Sequence, residues 1–406
     1  MAKLKFEKRQ NWIMVFFFQL CVVANNVLGT DESLYMIAKI ATLAFFAVVT
    51  LRILQKGKLR FNQILLLPLA LTVYCVATIL WAYSPSTALS QMITQVQLLL
   101  LLLFTFWAMN DGVTVLDYLN AVYMSGIGMV IFALARYGGI SQYTQAMIDG
   151  QRMGGQITNL NTFGMVFGNA ALCAAYYMVL KKQRWHVVTF AIFSFFALSS
   201  ASRKSMLMIV VGVVAIAVLH YGMRRIYRTL LWAVVVLVAA YFALKLPYFS
   251  EVAERIQNLF SGEQDASDIE RNRMVEFGLE LFKERPIHGY GMNNFSRLYY
   301  LNTYSHNNYI ELLVSGGVVA FVLYYLMLLL PAFGLLLNRK KGEKLDPLHL
   351  MLWVWLMVEM AFGVAMVQVY NKNSWLLIGV LMTESVHAAA RKPGLQEKND
   401  EHPNEN

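Results

Sequence analysis

Charge is scarce in this sequence of 406 residues: Asp, Glu, Lys and Arg make up 14% of it, against 58% hydrophobic residues. A soluble domain carries about a quarter charged and about half apolar residues. This chain lacks the means to cover a water-facing surface. Cysteine is scarcer still. Cys21, Cys75 and Cys173 each sit inside a long apolar run without metal-ligand spacing, so neither a disulfide framework nor a thiolate metal site is expected. No His/Cys cluster has the spacing of a zinc site. There is no Walker loop, and "GYGMNN" (289–294) does not lie between a strand and a helix, so nucleotide binding is not expected. A D-x-D acidic pair, the mark of metal-dependent sugar-nucleotide transfer, is missing as well. A group transfer in such a chain is expected to run without metal or cofactor. Side-chain cations would stabilise the leaving group and a base would activate the nucleophile.

What the sequence does have is apolar blocks of about 20 residues, the length that crosses a hydrocarbon core. The reading is an all-α polytopic membrane protein with about twelve transmembrane helices. The spans lie near 12–28, 33–54, 62–82, 88–109, 114–135, 158–180, 185–201, 205–221, 228–245, 309–330, 347–369 and 373–389. The basic segments "KLKFEKRQ" (3–10), "RILQKGKLR" (52–60), "KKQR" (181–184), "RRIYR" (224–228), "NRKKGEK" (338–344) and "RKPGLQEK" (391–398) then fall on one side. By the positive-inside rule that side is the cytoplasm, with both termini on it. Topogenic loops account for the net charge of +10 without any nucleic-acid partner. The first apolar segment follows a basic stretch but precedes no A-x-A-like site, and it reads as an uncleaved anchor.

The chain reads as one membrane domain over 1–406, with a large extracytoplasmic loop at 246–307 and a disordered cytoplasmic tail at 393–406. Within the large loop, "SDIERNRMVEFGLELFKERP" (267–286) predicts a helix. Ser267 and Glu270 have capping-box spacing, Pro286 is its stop, and Met274, Phe277, Gly278 and Leu281 form one apolar stripe. That stripe is expected to be buried as the helix lies on the outer membrane face. Gly289 and Gly291 allow tight turns back toward the bilayer.

The expected outer side collects Arg136, Arg152, Arg203, Lys204, Arg255, Arg271, Arg273 and His306. Arginine suits phosphate, because its planar fork donates two parallel hydrogen bonds. Arg203, in "LSSASRKSML" (198–207), is held in a very short connection between spans; it reads either as a phosphate ligand or as an interfacial anchor. His306 opens "SHNNYIELLVSGG" (305–317) at the mouth of the tenth span. It reads either as a general base or as a helix-start cap. Asn307 and Glu311, four apart, share a helix face, and Glu311 is expected to pair with Asn307 or Asn308. Glu276 is expected to pair with Arg273 or Asn272.

These features together resemble the bacterial O-antigen ligase and polysaccharide polymerase family. The resemblance rests on the span pattern, on "RMVEFGLELFKERPIHGYGMNNF" (273–295), and on His306–Asn307 followed after nine residues by Gly317. Ala320 stands where Gly, Thr or Val is usual. Arg203 and Leu207 agree with an R-x3-L motif, and "RMGGQITNLNTFG" (152–164) is similar to the segment before the sixth span. The resemblance implies a metal-independent, inverting glycosyl transfer of the GT-C type from a polyprenyl (undecaprenyl) diphosphate-linked glycan. It implies His306 as general base, Arg203 as the essential arginine near the diphosphate, and Arg273, Arg271 and Arg152 as diphosphate-binding, with Asn307 and Glu311 supporting. The acceptor would be a glycan or lipid at the extracytoplasmic side of the inner membrane, with a flippase and a chain-length regulator as partners. The reading leans toward a polymerase of repeat units, the alternative being a ligase that passes the finished glycan to lipid core, protein or wall. A transporter of lipid-linked oligosaccharides is the rival outside the enzymes.

Overall fold

The computed structural model describes residues 2–29, 31, 33–222, 227, 266–338 and 345–391. Among them the regular structure is entirely helical. In chain order the helices are α1 (Ala2–Val27), α2 (Tyr35–Lys56), α3 (Leu66–Ala77), α4 (Pro85–Met109), α5 (Val115–Tyr137), α6 (Ile140–Ile148), α7 (Leu160–Val179), α8 (His186–Ser199) and α9 (Arg203–Tyr221). After them come α10 (Ala266–Glu284), α11 (Phe295–Leu298), α12 (Asn308–Leu337), α13 (Pro347–Phe362) and α14 (Lys372–Ala390). Single 3₁₀ turns at Gln63–Leu65 and Thr78–Trp81 flank α3. Helices occupy the expected spans except the ninth, 228–245, which lies outside the described residues, as do the first part of the large loop and the tail at 393–406. Seven of these segments are long and apolar enough to cross a membrane; α8 and α13 are apolar but shorter. Among the described residues, eleven of the twelve expected spans hold a helix and seven segments have the length and apolarity to cross.

Local chemistry sets the helix ends. Thr114 and Asp117 form a reciprocal capping box at the start of α5, and Gly138 closes that helix with a left-handed φ of 83°. Pro85 and Pro347 occupy the first turns of α4 and α13, where a missing N–H costs nothing.

The contacts group the chain into two compact units. The first comprises 1–56 and 112–267. Its helix α7 packs against α5, α8 and α9, and α1 packs against α2 and α5. The core there is built from α7, whose Phe163, Phe167, Ala170, Ala171, Leu172 and Cys173 have no exposed surface.

The second unit comprises 57–111 and 268–406. Its α12 packs against α3 and α14, and α14 packs against α4. Helix α12 is broken at Gly317, where φ is 63° and ψ is −165°. A break inside an apolar helix strands backbone groups that must find partners within the protein. The "PIHGYG" segment (286–291) supplies most of them. The N–H groups of Tyr290 and Gly291 donate to the carbonyls of Val314 and Ser315 at 2.8 and 2.9 Å, and the N–H of Val318 donates to the Pro286 carbonyl at 2.8 Å. The Tyr74 hydroxyl takes the Gly316 carbonyl at 2.9 Å. A Cβ on Gly317 would lie 2.2 Å from the Ile287 carbonyl oxygen, so backbone approaches backbone too closely for any side chain.

Candidate functional site

In the second unit, α10 is the helix expected over 267–286. It begins at Ala266, one residue ahead of the expected cap, so Ser267 lies inside its first turn. Its apolar stripe is buried, but against protein. Met274 and Leu281 pack with Tyr290, Phe295, Tyr299, Ile310 and Val314, the last two on α12. Gly278 fits because a Cβ there would meet Ile310 Cγ2 at 2.2 Å. The apolar stripe thus seats α10 on the first turns of α12.

His306 stands just before α12 with φ at 55°, in the left-handed region that a non-glycine residue enters at a cost of about 1–2 kcal/mol. Such strain persists only where neighbours over-determine the turn. Asn307 is the N-cap: its Oδ1 accepts from the N–H groups of Tyr309 and Ile310 at 2.9 and 3.1 Å. The capping role belongs to Asn307, which leaves the His306 ring outside the cap. Glu311 is fully buried one turn in. Its Oε2 accepts from the Ser305 N–H at 3.2 Å and from the Ser305 hydroxyl at 2.8 Å; its Oε1 accepts from the Ser315 hydroxyl at 3.2 Å. The expected pairing with Asn307 or Asn308 does not form. Asn307 turns its Oδ1 to the helix cap and the Asn308 amide donates to Tyr325, while Ser305 curls back over the helix start to reach the carboxylate. The Ser305 hydroxyl also lies 2.8 Å from the Asn307 carbonyl, closing the turn around His306.

Asn308 has no exposed surface. It donates to the Tyr325 hydroxyl at 3.0 Å and accepts from the N–H groups of Gln368 and Val369 at 2.8 and 2.9 Å. It thereby ties the head of α12 to the segment after α13. Helix α13 itself holds a group that sequence reasoning missed. Glu359 on α13 accepts from the Ser374 hydroxyl of α14, and its backbone carbonyl accepts from Gln368 Nε2 at 2.6 Å. A lone acid within "LMVEMAF" (356–362) was the available signal, since an ionisable residue in an apolar span marks a functional or structural polar network.

The two loop arginines point to different partners. Arg271 Nη1 lies 3.0 Å from Asp268 Oδ1, and Arg273 Nη1 lies 3.6 Å from Glu270 Oε2 rather than beside Glu276. Their side chains are 41% and 63% exposed, and exposed pairs of this kind contribute about 0–1 kcal/mol. Glu270 Oε1 also accepts the hydroxyls of Tyr299 and Tyr300, the latter at 2.7 Å. Tyr299 first, then Tyr300, hold the Glu270 carboxyl below its ordinary value. Burial, reinforced by the same carboxylate, pushes the Tyr299 phenol well up. The Tyr304 ring lies 4.2 Å from the His306 ring. Burial raises the Tyr304 hydroxyl while the nearby Arg271 guanidinium pulls it down. Arg271 therefore shares an electrostatic neighbourhood with the His306 turn.

In the first unit, Arg203 is the first residue of α9, with Ser202 as its N-cap. The preceding connection is not a loose loop. Ser199, Ser200, Ala201 and Ser202 are buried, as is Ser205 beyond them. Ala201 takes a left-handed φ of 48°. Arg152 grips this turn: its Nε donates to the Ser200 carbonyl at 3.2 Å and its Nη2 to the Ala201 carbonyl at 3.4 Å. The Tyr143 hydroxyl meets Ser199 Oγ at 2.6 Å, and Ser202 Oγ donates to Asn161 Oδ1 at 2.8 Å. Arg152 and Arg203, far apart in sequence, are thus brought to one turn. His306, Asn307 and Glu311 gather at the head of α12 in the second unit.

A protein-family model described as O-Antigen ligase matches residues 188–325. The match begins in α8 and ends in α12, so it takes in Arg203, Arg271, Arg273, His306, Asn307, Glu311 and Gly317, and leaves Arg152 outside. No match to a curated protein was found.

Proposed function

We propose that this integral membrane protein, whose residues 188–325 match the O-antigen ligase family model, polymerises repeat units carried on a polyprenyl diphosphate. The observation that carries the reading is the His306 turn. A strained backbone, an Asn307 cap and a buried Glu311 hold one imidazole at the head of an apolar helix, within the family match.

The step is a single displacement at the extracytoplasmic face of the cytoplasmic membrane. His306 takes the proton of an acceptor hydroxyl. The oxygen forms a bond to the anomeric carbon of the donor glycan, from the side opposite the leaving group, and the bond from that carbon to the diphosphate breaks. The configuration inverts because the histidine acts as base and not as nucleophile. The departing diphosphate carries the electron pair and two phosphates' worth of charge. The family resemblance assigns its stabilisation to Arg203 and Arg152, as planar guanidinium groups suited to bidentate bonds with phosphate oxygens. Arg271 and Arg273 join by exchanging Asp268 and Glu270 for phosphate oxygens, which costs little because exposed ion pairs are weak. The imidazolium returns its proton to water. The sugar–diphosphate bond provides the driving force, and the repeat units arrive through a flippase and leave under a length regulator.

The test is genetic. The gene is deleted in the native host and complemented with wild type, His306→Ala or Arg203→Ala, and the surface and lipid-linked glycans are resolved on a gel. Single repeat units in place of a ladder support the polymerase. Long chains stranded on the polyprenyl lipid make the protein a ligase. Wild-type ladders from both expressed variants overturn the assignment and favour transport.

A further inference from the structure

We propose that Tyr304 and Tyr300, with the Glu270 carboxylate, form the subsite that receives the terminal sugar of the acceptor, laid flat on the tyrosine rings with a hydroxyl delivered to His306. This rests on the transfer reaction proposed above and adds the residues that hold the acceptor.

The segment from Tyr299 to His306 leaves the α10–α12 core and returns to it. Its beginning is anchored, since Tyr299 is buried among Phe277 and Phe295. Its end is anchored by Ser305 on Glu311. Between the anchors two amphipathic rings are presented outward: Tyr300 is 66% exposed and Tyr304 is 45% exposed. Neither is free to swing. The Tyr300 hydroxyl is tied to Glu270 at 2.7 Å, and the Tyr304 ring rests against the His306 ring at 4.2 Å and 45°. Asn302, with φ at 50°, turns the chain between them.

Chemistry selects the ligand. An exposed tyrosine at a bilayer surface ordinarily keeps its hydroxyl for water and head groups. Tyr300 instead commits its hydroxyl to a carboxylate, and Tyr304 packs on an imidazole. Both then offer an aromatic face with hydrogen-bonding groups at its edge. A pyranose has the complementary form, with an apolar face of C–H bonds and a rim of hydroxyls. Glu270 keeps acceptor capacity for such a rim. A carboxylate has about four lone-pair sites; the two tyrosines take Oε1 and Arg273 lies 3.6 Å from Oε2, which leaves one site for the rim. A sugar on the open face of Tyr304 has its rim beside the imidazole already touching that ring, which is where a base must find its proton.

The test uses the full-length protein in lipid nanodiscs. The probe is the host's repeat-unit oligosaccharide, released from its lipid by mild acid. Binding is read by saturation-transfer NMR and calorimetry for wild type, Tyr304→Phe and Tyr304→Ala. Transfer is measured in parallel with the intact lipid-linked glycan. Tyr304→Phe should bind within about threefold of wild type. Tyr304→Ala should bind about tenfold more weakly and raise the KM for acceptor while kcat changes little. If Tyr304→Ala binds as wild type does, or if wild type binds no oligosaccharide, the subsite is overturned. Transfer by wild type in either case leaves the reaction assignment standing. Oligosaccharide binding without transfer overturns the reaction assignment and not the subsite.

Discussion

Replacing Glu311 with alanine removes three hydrogen bonds from a place water does not reach. The partners are the Ser305 N–H, the Ser305 hydroxyl and the Ser315 hydroxyl, and both serines are buried. The Ser305 hydroxyl still has the Asn307 carbonyl at 2.8 Å. The Ser305 N–H, which donates to Glu311, becomes a buried, unsatisfied donor, at about 1–3 kcal/mol. His306 holds its left-handed conformation at a further cost of about 1–2 kcal/mol, which the Glu311 clamp offsets. Without the clamp, relaxing the turn relieves both terms, so the relaxed turn becomes the populated state. Restoring the active geometry then costs about 2–5 kcal/mol, a loss of about 30- to 5,000-fold in transfer rate. The assay is single-turnover transfer by protein in nanodiscs, with thermal unfolding as the check on folding. Glu311→Gln keeps a carbonyl acceptor for the Ser305 N–H, and it should lose no more than about tenfold with an unchanged pH profile. A folded Glu311→Ala protein with full activity would refute the clamp. So would a Glu311→Gln protein that is equally impaired with a displaced pH profile, since Glu311 would then handle a proton itself.

Gly317→Ala should abolish accumulation of folded protein, because its Cβ would lie 2.2 Å from the Ile287 carbonyl; size-exclusion of the detergent-extracted protein checks this. Arg152→Lys removes the fork that holds two carbonyls of the Ser200–Ala201 turn, and transfer should fall by about tenfold with expression unchanged. The Glu270 carboxyl is depressed in the folded state, so its contribution is present above the unfolded carboxyl value and is lost as pH falls through the folded one. The melting temperatures of wild type and Glu270→Gln should therefore converge on acidification and separate toward neutral pH. A separation that grows on acidification would contradict the assigned direction.

The helical architecture was legible because length and apolarity alone determine a membrane span, and the spans expected from residue 12 to residue 221 coincide with α1 to α9 apart from the short α6. The helix at 266–284 was legible from its stripe, but the partner of that stripe was not. An apolar face looks the same whether lipid or Ile310 will cover it. The Glu311 partners were misjudged for a related reason. Helical spacing points Glu311 toward Asn307, four residues back, whereas the backbone reverses at His306 and brings Ser305 to the carboxylate. Periodicity describes the interior of a helix and is silent at its entry. The Arg152 contacts were invisible for want of any local pattern: 48 residues separate its Nε from the carbonyl it holds.

His306 and Gly317 stand about three helical turns apart on one stretch of chain, and the structure gives them separate tasks. Gly317 opens the backbone of α12, and the opened groups accept the segment 286–291 by hydrogen bonds on both sides of the break. That segment follows directly from α10, so the break sets where α10 ends relative to α12. His306 closes the other end of the same stretch, where the Tyr304 ring lies 4.2 Å from it. The helix carrying Arg271 and Arg273 is therefore registered against the histidine by main-chain bonds at one end and by the Ile310–Val314 packing along its length. Side-chain substitutions on α10 can change what is bound while leaving this register intact. A change at Gly317 alters the register itself, which is why a glycine remote from the base should matter as much as the groups around it.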